Sequence, residues 1–236
     1  MKEVILIRYG EIFLKGKNYS FFENTLFKNI KRRFKGINLS LEKISGRFLV
    51  SNFSEQDKEL IISKLKTVFG IVSISLAYEV ETSLENISTV CETINITEST
   101  FKVETKRADK TFNLKSYELS AKMGEIILKN NPNIKVDVHN PQQIIFIEVR
   151  QNLRTYIFYN KITCLGGMPV STSGKAMLLL SGGIDSSVAG FLMAKRGLCL
   201  NAIHFYSFPY TSPQARQKVI DLANIIKKYT GDIRLF

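Results

Sequence analysis

The chain has 236 residues, 44% of them apolar, enough for more than one buried core, and 33 Lys+Arg against 21 Asp+Glu set a formal charge of +12. That surplus fits an anionic partner as well as it fits a soluble protein that is simply basic. Cys91, Cys164 and Cys199 lie far apart with no C-x-x-C pair, which argues against a zinc site or disulfide framework and for a reducing compartment. The apolar run before Arg8 is too short for a signal peptide and no run reaches membrane-spanning length, so a cytoplasmic protein is expected.

"EVILIR" reads as a buried strand. Tyr19, Phe22, Leu26, Phe27, Ile30 and Phe34 then share one helical face. "INLSLEKI" and "RFLVSNF" follow as strands with Gly46 at the turn. Ile61, Leu65, Val68 and Phe69 mark a second helix, and "GIVSISLAYEV" alternates as a strand. The order β-α-β-β-α-β is that of a ferredoxin-like split unit, over residues 1–80. A second small α/β unit, 81–163, opens with a helix from Ser83 to about Asn95 and the strand "TFKVETKRA". Leu119, Met123, Ile126 and Ile127 predict the next helix, with Ser116 as its cap. "IKVDVH", "QIIFIEVRQ" and "RTYIFYNKI" close the unit as strands.

Residues 164–175, "CLGGMPVSTSGK", are a linker or loop by composition. Beyond them "AMLLL", a helix, "LCLNAIHFYSF", a helix with Ser212 and Pro213 at its N-cap and first position, and "DIRLF" alternate. Strands alternating with helices predict part of a doubly wound parallel sheet over 177–236. The fold class is α/β, with an α+β N-terminal part.

"LLLSGGIDSSVAG" sets two glycines and an aspartate where a strand passes into a helix. In parallel sheets ligands sit beyond the carboxyl ends of the strands. Gly182 and Gly183 let backbone approach a ligand, the free amides of the first helical turn converge there, and Ser181 and Ser186 add hydroxyls. The pattern is neither a Walker A loop nor G-x-G-x-x-G. With no lysine in the loop it suits a pyrophosphate that leaves, with Asp185 capping the helix or meeting Mg²⁺. Nucleotidyl transfer fits, an oxygen attacking the α-phosphate of ATP. The competing reading, in which the glycines only turn the chain and Asp185 only caps, is the weaker one because strand and helix are both legible.

"SGGIDSSVAG" resembles the PP-loop of ATP pyrophosphatases. "RYGEIFLKGKNYSFFE", "FKVETKRADKTF", "VDVHNPQQIIFIEVR", "GGMPVSTSGKAMLLLSGGIDSSVAGFLMAKRG" and "IHFYSFPYTSPQARQKVIDLA" extend the resemblance, over essentially all of the chain, to the tRNA sulfurtransferases that make 4-thiouridine, the ThiI family. It implies a ferredoxin-like domain (1–80), a THUMP RNA-binding domain (81–163), a linker (164–176) and the N-terminal part of a PP-loop adenylation domain (177–236). Ser181, Gly182, Gly183, Asp185 and Ser186 would hold pyrophosphate, with Asp185 the catalytic member. Leu179, Leu180, His204 and Phe205 would flank the nucleotide, although a lone histidine at a strand end is also a common structural donor. ATP and Mg²⁺ are the implied cofactors. The implied partners are tRNA, a cysteine desulfurase as sulfur donor, a sulfur-carrier protein and a second copy of the chain. A link to thiamine thiazole synthesis comes with the family.

Lys102, Lys106, Arg107 and Lys110 are the expected RNA contacts, through phosphate. Lys28, Lys31, Arg32, Arg33 and Lys35 form a second cluster that reads at least as well as a solvated helix face. Three departures from the family pattern stand out. Ser187 replaces proline and Ser171 replaces glycine. Family members also continue beyond "GDIRLF" and carry a reactive cysteine that none of the three here matches. Buried or bystander roles are expected for these cysteines, and tRNA binding with little thiolation for the chain. A non-catalytic tRNA-binding module and another adenylating PP-loop enzyme, such as a ligase acting on a small acid, are the alternatives.

Overall fold

The structure, a computed structural model, describes residues 1–207 and 209–236. Phe208, the last residue of the stretch read as a strand from Leu198, lies outside the described residues. The chain divides into two compact units, Met1–Leu6 with Ser75–Ile162, and Ile7–Ile74 with Thr163–Phe236, the divisions falling within strands β1 (Lys2–Tyr9), β4 (Ile71–Glu81) and β9 (Ile162–Thr163).

In the first unit the strand order is β4-β8-β7-β5-β6, with β5 Thr100–Arg107, β6 Lys135–Val136, β7 Gln143–Arg150 and β8 Arg154–Phe158. β7 runs antiparallel to β8 and parallel to β5, with Val103 opposite Ile145. Ile145, Ile147, Ile157 and Phe101 point to one face and meet Ile87, Val90 and Cys91 of α3 (Leu84–Thr93) and Leu119, Met123 and Ile127 of α4 (Ser116–Asn130). The i, i+4, i+8 spacing of the last three is what makes α4 amphipathic. Each fully buried side chain of this size contributes about 1.5–3 kcal/mol.

Two local expectations change here. Ser116 is the first helical residue, not the cap: Lys115 precedes the helix in extended conformation, and Glu118 Oε2 accepts its backbone N–H at 2.7 Å. The strand over "IKVDVH" shrinks to Lys135–Val136, because Asp137 Oδ1 accepts from the amides of His139 and Asn140, both at 2.9 Å, and turns the chain.

The second unit begins with the end of β1, followed by short 3₁₀ turns over Glu11–Asn18, α1 (Tyr19–Arg33), β2 (Ser40–Ile44), β3 (Arg47–Ser51), α2 (Lys58–Lys66) and the start of β4, in the strand order β2-β3-β1-β4. This is the ferredoxin-like order. Leu26 and Ile30 of α1, Phe48 of β3, and Ile61 and Leu65 of α2 are fully buried. The apolar spacing overran α2: Val68 and Phe69 fill the turn after it. Glu23 ties the start of α1 to β1, accepting from the Tyr9 and Tyr19 hydroxyls at 2.6 and 2.8 Å and from Lys43 at 3.0 Å.

Residues 164–174 form a fastened loop. The Cys164 amide donates to Val72 O (2.8 Å), Met168 to Lys195 O (2.8 Å) and Ser173 to Gly197 O (3.0 Å). Gly167 lies at φ +79° with Lys195 O where a Cβ would stand, so only glycine fits. Ser171 sits at φ +77°, a left-handed conformation costing a side chain about 1 kcal/mol. The glycine expected at this position would carry no such strain.

β10 (Lys175–Leu179) and β11 (Cys199–Ile203) pair in parallel, Leu178 opposite Ala202. "DIRLF" supplies only the start of a third strand: Ala202 donates to Arg234 O (2.8 Å) and His204 to Phe236 O (2.9 Å). α5 (Ile184–Lys195) and α6 (Pro213–Thr230) both pack on the Leu178 side. A Cβ on Gly190 would lie 2.6 Å from Leu178 Cδ2 and 3.6 Å from Ile226 Cδ1. Side chains alternate across a strand, so Met177 and Leu179 face away from the helices and are exposed.

Candidate functional site

The Ser181–Ser186 turn lies at the carboxyl edge of β10, where the chain enters α5. Gly183 takes the N-cap position in extended conformation (φ −86°, ψ 163°), so Ile184, Asp185 and Ser186 form the first turn. The helix opens two residues earlier than the sequence pattern suggested, and Asp185 is not its cap. The amides of the first turn have no intrahelical acceptor and carry the positive end of the helix dipole. Two serines brace the bend. Ser186 Oγ accepts the Ser181 amide at 3.1 Å and lies 3.1 Å from Ser181 Oγ, which accepts the Gly183 amide at 3.2 Å. Ser187 points back to Gly183 O at 3.4 Å.

The loop itself carries no lysine. The fold brings one from elsewhere: a Cβ on Gly182 would lie 3.8 Å from Cδ of Lys218, an exposed residue of α6. Lys218 is thus a cation beside the bend that only the packing of α6 against β10 and β11 reveals. The site gathers convergent amides, two hydroxyls, one ammonium and one exposed carboxylate, a donor set that matches a diphosphate. Asp185 is a single carboxylate. Among the described residues no group of three or more His, Cys, Asp or Glu is placed to hold a metal ion. One carboxylate plus phosphate oxygens is a sufficient donor set for Mg²⁺, which keeps most of its waters.

The flanking residues divide. Leu179 is 66% exposed and Phe205 75% exposed, both at the sheet's carboxyl edge. Leu180 is 2% exposed and packs with Ala202, Val219 and Ala223, leaving only its backbone on the ligand side. His204 lies 3.0 Å through Nδ1 from Leu180 O, which fixes Nδ1 as the protonated nitrogen because a carbonyl only accepts. Its Nε2 is then a buried acceptor with no partner among the described residues. The histidine therefore ties two strand ends together and retains one acceptor.

The basic cluster of the first unit also divides. Lys102, Glu104 and Lys106 share one face of β5, with Glu104 3.9 Å from Lys102 and 3.3 Å from Lys106. Lys102 also borders a groove of about 700 Å³ between β5 and α4, beside the exposed Tyr117. Lys110 is exposed on the following loop. Arg107 turns inward: its guanidinium donates to Phe112 O at 2.7 Å and to Leu114 O, clasping that loop. Geometry brings Lys102 and Lys106 together and assigns Arg107 a structural contact.

The thiols lie apart from the bend. Burial pushes Cys91 up to about 12 and Cys164 up to about 11, so thiolate is scarce at both. Cys199 is half-buried at the start of β11, the end remote from the bend. Among the described residues no helix is long and apolar enough to cross a membrane.

Comparison with known proteins places the chain in a family. Three family models match: the ThiI ferredoxin-like domain over residues 4–75, the THUMP domain over 81–159, and Thiamine biosynthesis protein (ThiI) over 171–236. A probable tRNA sulfurtransferase of Caldanaerobacter subterraneus is 47% identical over 242 aligned residues, and one of Alkaliphilus oremlandii 44% over 244. Both alignments cover the whole chain and 62% of the relative, so the chain spans about three fifths of the length of these curated relatives. Among solved structures, a 4-thiouridine synthetase in complex with RNA and ATP superposes with a TM-score of 0.86 at 38% identity, covering all of this chain and 61% of that one. PH1313 from Pyrococcus horikoshii superposes at 0.84 with 34% identity, covering 99% of this chain and 78% of that one. With its segments matched in order from end to end, the chain belongs to the ThiI family.

Proposed function

We propose that the chain carries the RNA-gripping and pyrophosphate-holding parts of an ATP-dependent tRNA sulfurtransferase that converts a uridine to 4-thiouridine. The observation that carries this reading is the braced Ser181–Ser186 bend at the carboxyl edge of a parallel sheet with Lys218 beside it. The sulfurtransferase names of the relatives and the RNA and ATP of the solved 4-thiouridine synthetase support it. The domain division 1–80, 81–163, 164–176 and 177–236 is part of the proposal.

ATP, when bound, supplies the adenylyl group that activates O4 of the uridine, with pyrophosphate as the leaving group. The first-turn amides and the Ser181 and Ser186 hydroxyls hold the diphosphate, and Lys218 offsets its charge as it develops. Asp185 would hold Mg²⁺ through its carboxylate, and the ion would supply charge neutralisation at the phosphates. His204 accepts a hydrogen bond at Nε2, and Leu179 and Phe205 cover the base. The terminal sulfur of a cysteine persulfide, supplied by a cysteine desulfurase, then displaces AMP from C4. A second thiol attacks the carrier cysteine's sulfur, breaking the S–S bond to leave 4-thiouridine and a disulfide; no cysteine of this chain is assigned to either step. Lys102, Lys106 and Lys110 contact RNA phosphate, with Tyr117 offering a ring to an unpaired base. A sulfur-carrier protein, homodimerisation, a cytoplasmic location and the thiamine connection belong to the same proposal.

Thermal melting with ATP–Mg²⁺ and with tRNA tests it. Nucleotide at about a hundred times its dissociation constant stabilises by about 2.7 kcal/mol, a shift of several degrees. Lys218→Ala, weakening nucleotide affinity about tenfold, removes about half of that shift and leaves tRNA affinity in place. A response to tRNA with none to ATP indicates the non-catalytic module. A response to ATP with no tRNA affinity at low salt indicates an adenylating enzyme for a small acid.

A further inference from the structure

At the amino end of the β10–β11 sheet, remote from the Gly182 bend, lies a cavity of about 420 Å³. The last turns of two helices border it: Arg32 and Arg33 from α1, Lys227 and Lys228 from α6. Val68, Phe69 and Val170 form a firm apolar wall, and Asn29, also at the rim, is committed to Val170 O at 3.0 Å. Ser171 and Cys199 mark the cavity as lying at the starts of the two strands. The length of β10, roughly 16 Å at 3.3 Å per residue, separates it from the bend.

Part of this charge has an ordinary explanation. Each helix C-terminus carries about half a negative charge, and cations in the last turn offset it. Among the described residues Asp232 is the single acidic one lining the cavity, paired with Lys227 at 3.7 Å. Four cations against one carboxylate and two half-charges leave a surplus of about two. Arg32 and Lys228 make no ion pair among the described residues. Arg33 is half-buried; burial pulls its pKa down and the charge of Asp232 opposes that shift, so another negative group nearby would stabilise its guanidinium further.

We propose that this cavity is a second phosphate site, distinct from the Gly182 bend, that takes a pyrophosphate-sized group carrying two or more negative charges. The guanidinium forks of Arg32 and Arg33 suit paired phosphate oxygens, and Lys227 and Lys228 face them as point charges. The volume exceeds that of one inorganic anion. The phosphate comes from either of two sources, a free nucleotide or pyrophosphate, or the backbone of an RNA lying across the rim.

The test is calorimetric titration of the 236-residue chain with inorganic pyrophosphate at low salt. Wild type is expected to show two binding events. Arg32→Gln weakens one event about tenfold, the loss of one charge-assisted contact, and separately Lys227→Gln/Lys228→Gln weakens the same event by up to about a hundredfold, the loss of two, each leaving the other event in place. Lys218→Ala weakens only the other. These side chains are exposed, and unchanged melting temperatures confirm intact folding. Repeating the titration with tRNA present separates the sources: displacement of the event that depends on Lys227 and Lys228 assigns the site to RNA phosphate, and its persistence assigns it to a free phosphate ligand. If pyrophosphate binding and tRNA affinity are both indifferent to Arg32, Lys227 and Lys228, the proposal is overturned.

Discussion

The THUMP segment and the segment with the Gly182 bend solve opposite problems. In the first, strands of up to eight residues and two helices enclose one continuous core around Phe101, Leu119, Met123 and Ile147. In the second, two five-residue strands share two small clusters around Ala202 and Leu200, and Met177, Leu179, Ile184, Val188 and Leu192 stay exposed. Packing density and ligand access trade against each other, and opening events of low free energy concentrate where fewer apolar contacts hold the chain. The bend is therefore held by local hydrogen bonds between its serines, and β5 by its core.

Substitutions that probe each side test this contrast, the largest first. Phe101→Ala empties the THUMP core and is expected to cost about 3–5 kcal/mol in urea unfolding, whereas Val188→Ala on the exposed face of α5 stays within about 0.5 kcal/mol. Equal losses would erase the distinction. Arg107→Ala leaves the carbonyls of Phe112 and Leu114 without their donor and is expected to cost about 2 kcal/mol. Lys106→Ala leaves stability unchanged, weakens tRNA binding and lowers its salt slope by about one. A stable Arg107→Ala protein with weakened RNA binding would return Arg107 to the RNA face.

Acid gives a smaller effect. Burial pushes the Glu23 carboxyl up, but hydrogen bonds from Tyr9, Tyr19 and Lys43 and the Lys43 charge outweigh it and hold the pKa below its usual value. A carboxyl depressed in the folded state contributes stability fully present above its unfolded pKa and lost as pH falls through the folded one. Melting temperature should thus decline as pH drops below about 4.5, the ordinary value. Glu23→Gln should flatten that decline. Ser171→Gly relieves the left-handed strain and is expected to add about 0.5–1 kcal/mol.

Most elements were legible because apolar period is a local signal: the faces of α1 and α4 and the alternation of β4 announce themselves over eight or more residues. What escaped depends on other parts of the chain or on single polar atoms. The 3₁₀ turns of Glu11–Asn18 have no period to read. Asp137 cuts β6 short with one carboxylate. Lys218 lies more than thirty residues beyond the bend it borders, so no motif joins them. The inward turn of Arg107 is equally invisible, because a basic residue in a basic stretch gives no sign of which carbonyls it will meet.

The missing side chain at position 190 has a consequence for the aim of the loop. α5 works as a lever whose pivot is the close approach of Gly190 to Leu178 and whose tip, about 10 Å away along the axis, is the first turn at Ile184. A methyl group at the pivot would press on Leu178 Cδ2, and whatever displacement the Leu178 side chain did not absorb would pass to the rod and its tip. Hydrogen-bond strength falls steeply with displacement, so an alanine there would weaken the proposed diphosphate contacts although none of the atoms that make them had changed.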